Sequence, residues 1–210
     1  MAKPPAPLAK SPKKEYNNSK IKNLFIKSQA WEELKMPLGA EGERKMNLFS
    51  IQKPKIYLDT SVISYLEQED APEKMAETRE FWDLVKQGKF DVFISDTEIR
   101  EIEQCTLPKR KLLQQHLLEI EYHFIESNEQ CFDLADKIID YDILKQKSLD
   151  DCRHIAAAMV ANCDIIVSWN FKHIVNYRTI KGIKMIATAQ GYKDILIYPP
   201  SVVLDYEKEK

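Results

Sequence analysis

From residue 55 onward, short apolar runs recur at intervals that only helices can fill, and this spacing constrains the fold more than any other feature. The runs are Lys55-Ile-Tyr-Leu-Asp59, Asp91-Val-Phe-Ile-Ser95, Tyr122 to Ile125, Asp164-Ile-Ile-Val-Ser168 and Ile195-Leu-Ile197. Each is too short for a helix, rich in β-branched or aromatic residues, and bounded by polar or turn-forming positions. Helical patterns occupy the intervals: Ser61 to about Gly88, Asp96 to Cys105, Pro108 to Leu118, Glu129 to Leu144, Leu149 to Asn162 and Arg178 to Gln190. The strands are nearly continuous in apolar character rather than alternating. That is the signature of a parallel sheet buried on both faces. The expectation is a single α/β domain, doubly wound, with about five parallel strands between two helical layers and a close at Pro199-Pro200.

Charge divides the chain. The net charge is −2 over 210 residues, yet residues 1–50 carry 10 Lys and Arg against 5 Glu, leaving 21 basic and 28 acidic residues for 51–210. The first 14 residues hold four prolines and four lysines and no acid. Such a segment cannot bury enough surface to offset its ordering entropy. Residues 1–50 are therefore expected to be a basic, largely disordered N-terminal extension, with one possible helix around 20–35, and residues 51–210 the folded domain. The extension reads first as a solvated tail and second as a nucleic-acid or partner-binding arm. The acidic body argues against nonspecific coating of nucleic acid but accommodates carboxylates gathered around a cation. No apolar run approaches the roughly 20 residues of a bilayer span, and no apolar core follows the basic start as in a secretion signal. Cys105, Cys131, Cys152 and Cys163 lack CxxC spacing and read as reduced thiols. The expected location is cytoplasmic.

In open α/β sheets the ligand site lies beyond the carboxyl ends of the strands. Carboxylates collect there: Asp59 after the first strand, Glu98 and Glu101 after the second, and Asp150 and Asp151 opening the long helix. Hard oxygen ligands converging on one point are what Mg²⁺ or Mn²⁺ requires. Helix capping competes with metal binding for several of these acids. Ser95-Asp-Thr-Glu98 is a capping box, and Ser148-Leu-Asp-Asp151 fits one too. Glu101 lies a turn beyond the first cap and is either a ligand or part of a solvated helix face. Asp59 ends an apolar strand with no turn to explain it, and a carboxylate nearly buried there needs a partner or a metal. His154 shares a helix face with Asp151 and reads as a packed or hydrogen-bonded histidine. Trp169 suits base stacking or simple half-burial.

Four segments in order, Ile56-Tyr-Leu-Asp59-Thr-Ser61, Ile94-Ser95 with Glu101 six positions later, Asp151-Cys-Arg-His154-Ile-Ala-Ala and Ile166-Val-Ser-Trp-Asn170, resemble PIN-domain proteins, above all the bacterial VapC-type toxins and their orphan relatives. The resemblance spans roughly residues 55–200. It implies an α/β/α sandwich and Mg²⁺- or Mn²⁺-dependent endoribonuclease activity, with Asp59, Glu101 and Asp151 as acidic metal ligands and catalytic residues. It favours Glu101 over Glu98 and Asp151 over Asp150. Asn170 stands where many members carry a further Asp; its amide oxygen can ligate a cation but with one negative charge fewer. Ser61 would be the small polar residue beside the first Asp. Lys172, Arg178, Lys181 and Lys184 follow the fourth strand and either hold the RNA backbone against the acidic body or are ordinary solvated residues. Partners implied are an RNA substrate, a cognate antitoxin of a type II toxin–antitoxin pair and a homodimer. The alternative is a PIN-like module weakened in catalysis by Asn170 and acting through RNA or protein binding. A phosphohydrolase or receiver domain fits poorly: the first would need Asp at position 61, the second an acidic pair ahead of the first strand.

Overall fold

The computed structural model describes residues 53–208; the N-terminal extension and its suggested helix lie outside the described residues. Five strands form one sheet: β1 (Lys55–Leu58), β2 (Asp91–Ser95), β3 (His123–Ile125), β4 (Ile165–Val167) and β5 (Leu196–Tyr198). Their order is β3-β2-β1-β4-β5 and every pairing is parallel. β1 is central, with Tyr57 opposite Phe93 of β2 and Ile166 of β4. The chain runs outward from β1 to β3, then returns across β1 to lay down β4 and β5. The order therefore reverses between β1 and β4, where such sheets open a crevice at their carboxyl ends.

Eight α-helices cover the sheet among the described residues: α1 (Thr60–Tyr65), α2 (Pro72–Lys86), α3 (Asp96–Gln104), α4 (Leu107–Leu118), α5 (Glu129–Asp140), α6 (Leu149–Val160), α7 (Tyr177–Gln190) and α8 (Pro200–Lys208). Alternate residues of β1 feed two separate cores, as the two-residue period of a strand requires. Ile56 and Leu58 pack with Val62 and Ile63 of α1, Phe81 and Trp82 of α2 and Leu113 of α4. Tyr57 faces the other layer, with Leu134 and Ile138 of α5, Ile155 to Met159 of α6 and Ile183 of α7. The expected α/β/α sandwich with a five-stranded parallel sheet is the structure observed. No helix of the described residues is long and apolar enough to cross a membrane.

Four local differences from the sequence pattern have identifiable causes. The helical stretch from Ser61 to Gly88 is two helices, because Pro72 starts a new one at its first turn. The helix expected to reach Leu144 stops at Asp140, and Asp142 follows in the left-handed region at φ 55°. Ser148 makes no side-chain cap to α6, since a 3-10 turn over Gln146–Ser148 runs straight into the helix. Pro199-Pro200 ends the last strand as expected, but Pro200 also opens α8, which the pattern had not shown.

The packing makes a simple contrast measurable. Ile155 is fully buried and Leu118 is 68% exposed. Ile155→Ala is expected to cost about 2–5 kcal/mol and lower the melting temperature by roughly 5–15 °C. Leu118→Ala should stay within about 0.5 kcal/mol. Thermal melts of both variants beside the parent check this.

Candidate metal centre

Asp59 follows β1 at the strand switch. Its backbone N–H donates to Val167 O at 3.1 Å, fixing it to the end of β4. Oδ2 accepts hydrogen bonds from Ser168 Oγ at 2.7 Å and from Ser61 Oγ. Both hydroxyls are themselves held, because Ser61 Oγ accepts from Trp169 N at 2.9 Å and Ser168 Oγ from Asn170 N at 2.9 Å. The carboxylate is thus locked by one oxygen, and Oδ1 faces His154 Nε2 at 3.6 Å.

The second carboxylate comes from α3. Ser95 ends β2 and caps that helix in a full capping box, accepting from Thr97 N at 3.2 Å, while Glu98 Oε2 accepts from Ser95 N at 2.8 Å and Ser95 Oγ at 2.6 Å. The cap fixes the first turn of α3, so Glu101 projects one turn deeper along the same face. Its Oε2 lies 3.1 Å from His154 Nε2. Glu98 is no ordinary cap, however. It is completely buried, its Oε2 also receives the Tyr57 hydroxyl at 2.9 Å, and its Oε1 has no hydrogen-bonding partner among the described residues.

α6 supplies the imidazole. His154 is 1% exposed, with Nδ1 2.8 Å from Tyr57 Oη and 3.5 Å from Glu98 Oε2. Burial opposes a charge on this ring, but Glu98, Glu101 and Asp59 outweigh it and hold its pKa well above the ordinary histidine value. Glu101 responds in kind: burial alone would raise it, yet the His154 hydrogen bond and charge bring it below the usual range. Burial, then Glu98, pushes the Tyr57 phenol well up. Three carboxylates thus surround one imidazole in a nearly dry pocket.

Asp59, Glu101 and His154 offer ligand atoms that all lie within 4.8 Å of one another. Octahedral ligands at about 2.1 Å from a divalent ion sit about 3 Å apart when adjacent. The 3.1 and 3.6 Å spacings of Nε2 from Glu101 and Asp59 approach that. The donor set, two hard oxygens and one nitrogen in an anionic cleft, fits a divalent cation.

Other sequence candidates lie around this cluster. Asp151, one turn before His154 on α6, accepts from Asn170 Nδ2 at 2.7 Å and is raised by burial, which the opposing charge of His173 only partly offsets. Asn170 is held at both ends of its amide, since its Oδ1 accepts from His173 N at 3.1 Å. Asp150 turns away to Arg100 and Arg153 at 2.7 and 2.8 Å. Ser61 serves as an orienting donor to Asp59. Lys172 is exposed, and Arg178 at the start of α7 pairs with Asp142 at 3.0 Å. Trp169 is buried, donating Nε1 to Thr78 Oγ1 at 2.8 Å. Lys74 Nζ lies 5.2–5.4 Å from the rings of Tyr65, Trp169 and Phe171, a cation held on three aromatic faces beside the 168–171 loop.

Sequence reasoning gave no role to Tyr57 or Ser168; it read His154 as a packed or hydrogen-bonded histidine, which it is, without the carboxylates that surround it. Two signals were present. Ser168 follows β4 as Asp59 follows β1, and His154 shares a helix face with Asp151. Tyr57 gave none, because a tyrosine inside an apolar strand looks like core.

The sequence profile of the family described as PIN domain matches residues 55–172, more than half of the chain. Among solved structures, the crystal structure of VapBC2 from Rickettsia felis bound to a DNA fragment from their promoter is similar at 13% identity and a TM-score of 0.44, over 69% of this chain and 98% of that one. No curated protein matches the chain.

The anchoring of the 168–171 loop is testable. Thr78→Val leaves the buried Trp169 N–H without its acceptor, an expected loss of about 1–3 kcal/mol. Urea unfolding with an unchanged slope checks it.

Proposed function

The chain belongs to the PIN-domain family, and from that premise we propose that it is a metal-dependent endoribonuclease of the VapC kind, cleaving RNA phosphodiester bonds. The observation that carries the reading is the convergence of Asp59, Glu101 and His154 at the strand switch. Asp59 and Glu101 would hold an Mg²⁺ or Mn²⁺ ion, with His154 Nε2 on its third side and Asp151 at the rim. A divalent ion in such a site neutralises charge developing on a phosphate and lowers the pKa of a water.

The chain's own residues do the positioning. Ser61 and Ser168 fix Asp59 by one oxygen, so the other is aimed rather than rotating. Asn170 holds Asp151 next to the cluster. That carboxylate, its pKa raised by burial, is suited to receive or release a proton near the attacking water. The exposed Lys172, one residue beyond the 168–171 loop, would meet RNA phosphates against an otherwise acidic body. Arg178 would do so only by giving up its contact with Asp142.

A cognate antitoxin and a homodimer belong to the same proposal and rest on the family resemblance. The competing reading, a module that binds RNA or protein without cutting, is favoured by Asn170 at the position of a further acid.

Purified protein incubated with a pool of structured RNA in Mg²⁺ or Mn²⁺ should cleave it, leaving 5′-phosphate and 3′-hydroxyl ends, and EDTA should stop the reaction. Asp59→Asn and Glu101→Gln should each lower cleavage on the order of 100-fold or more without unfolding the domain. Cleavage that survives EDTA or both substitutions contradicts the proposal. Lys172→Ala should weaken RNA binding and reduce the log–log salt slope by about 0.7, readable by fluorescence anisotropy at several salt concentrations. An unchanged slope removes Lys172 from the substrate path.

A further inference from the structure

The Tyr57 phenol is fully buried and has three polar neighbours for its single proton: Ser95 Oγ at 2.9 Å, Glu98 Oε2 at 2.9 Å and His154 Nδ1 at 2.8 Å. Glu98 Oε2 also accepts from Ser95 N and Ser95 Oγ, so the serine proton points at the carboxylate. An ionised carboxylate only accepts. Were the Tyr57 proton aimed at Nδ1, Tyr57 Oη and Glu98 Oε2 would face each other at 2.9 Å with no proton between them, although both residues are fully buried. The arrangement that satisfies the carboxylate and the ring has Tyr57 donating to Glu98 and the Nδ1–H of His154 donating to Tyr57. Nδ1 is then the protonated nitrogen, and the lone pair of the neutral ring lies on Nε2, the side of Asp59 and Glu101.

We infer that Glu98 and Tyr57 are positioning residues that fix His154 in its Nδ1–H tautomer, making Nε2 a metal ligand and shifting the site from Mg²⁺ toward a first-row transition ion such as Mn²⁺. The inference rests on the cation-binding reading of the Asp59–Glu101–His154 cluster and adds the nature of the ion. A ligating histidine is commonly oriented by an acceptor on its other nitrogen, and removing that partner typically costs 10–100-fold in metal affinity. Here the acceptor is a tyrosine whose own proton is engaged in a hydrogen bond to a buried carboxylate. Mg²⁺ favours all-oxygen, near-octahedral surroundings and keeps its waters, whereas imidazole suits transition ions. The capping box therefore has a second role: the residue that starts α3 also sets the tautomer of a ring on α6.

The test uses the full chain with Mn²⁺ as the probe. Pulsed electron paramagnetic resonance of the Mn²⁺-loaded protein should show nitrogen coupling of the imidazole type, lost in His154→Gln. Competition titrations should show Tyr57→Phe and Glu98→Gln binding Mn²⁺ about 10–100-fold more weakly, with a smaller change for Mg²⁺, so that the Mn²⁺/Mg²⁺ preference falls. Two outcomes overturn the inference and leave the nuclease proposal standing: Mn²⁺ bound without nitrogen coupling, or a parental Mn²⁺/Mg²⁺ ratio in Tyr57→Phe, including when that variant is merely less stable. The spectrum of the parent decides the first point even where a variant fails to fold. Absence of Mn²⁺ and Mg²⁺ binding to the parent overturns the proposed function itself.

Discussion

The structure depends on a charge problem solved at the end of one strand. Three carboxylates, Asp59, Glu98 and Glu101, surround the His154 imidazole, and Asp59, Glu98 and His154 are almost wholly removed from water. Carboxylates so close repel each other strongly at low dielectric unless a cation or a dense set of donors compensates them. The chain supplies donors from four places: Ser61, Ser95, Ser168 and Tyr57. Without a cation the protonated imidazole supplies the counter-charge; a divalent ion bound at Nε2 would replace that ring proton and supply the charge itself. A cluster built only to stabilise the fold would be better replaced by apolar side chains, so its cost points to use.

The topology makes the convergence possible. β1 lies between β2 and β4, so the residues that leave these three strands emerge side by side although they are far apart in sequence. Asp59 comes from the first, Ser95 with its capped helix from the second, and Ser168 with Asn170 from the third. α6 then crosses the same edge and lowers His154 into the middle. Helix starts contribute as well: Glu98 lies in the first turn of α3 and Asp150 and Asp151 in that of α6, where the helix dipole favours negative charge.

Most of the fold was legible in the sequence because each strand is a short apolar run between polar brackets, and the pattern survives burial on both faces. Boundaries were less legible where one backbone torsion decides them, as at Asp142, or where a proline both ends one element and starts another, as at Pro200. Of the site, Asp59 and Glu101 were legible because a carboxylate at a strand end or beyond a cap has no local explanation. His154, expected to be a packed or hydrogen-bonded histidine, is both buried and hydrogen-bonded. A histidine on an apolar helix face is normally core, and only the three-dimensional meeting of α3 with α6 surrounds it with acids. Tyr57 was hidden because its ring is core and only its hydroxyl, at the far tip, joins the polar network. Lys172 and Arg178 looked alike as basic residues after the fourth strand, but Arg178 has an acidic partner that sequence alone could not name.

The proposed chemistry turns on one location for the cation. A crystal soaked in Mn²⁺ and measured at the manganese absorption edge would place it directly. The predicted result is an anomalous peak within bonding distance of Asp59, Glu101 and His154 Nε2. A peak held by Asp151 and other groups away from His154, or no peak at the strand switch at saturating Mn²⁺, would contradict that location.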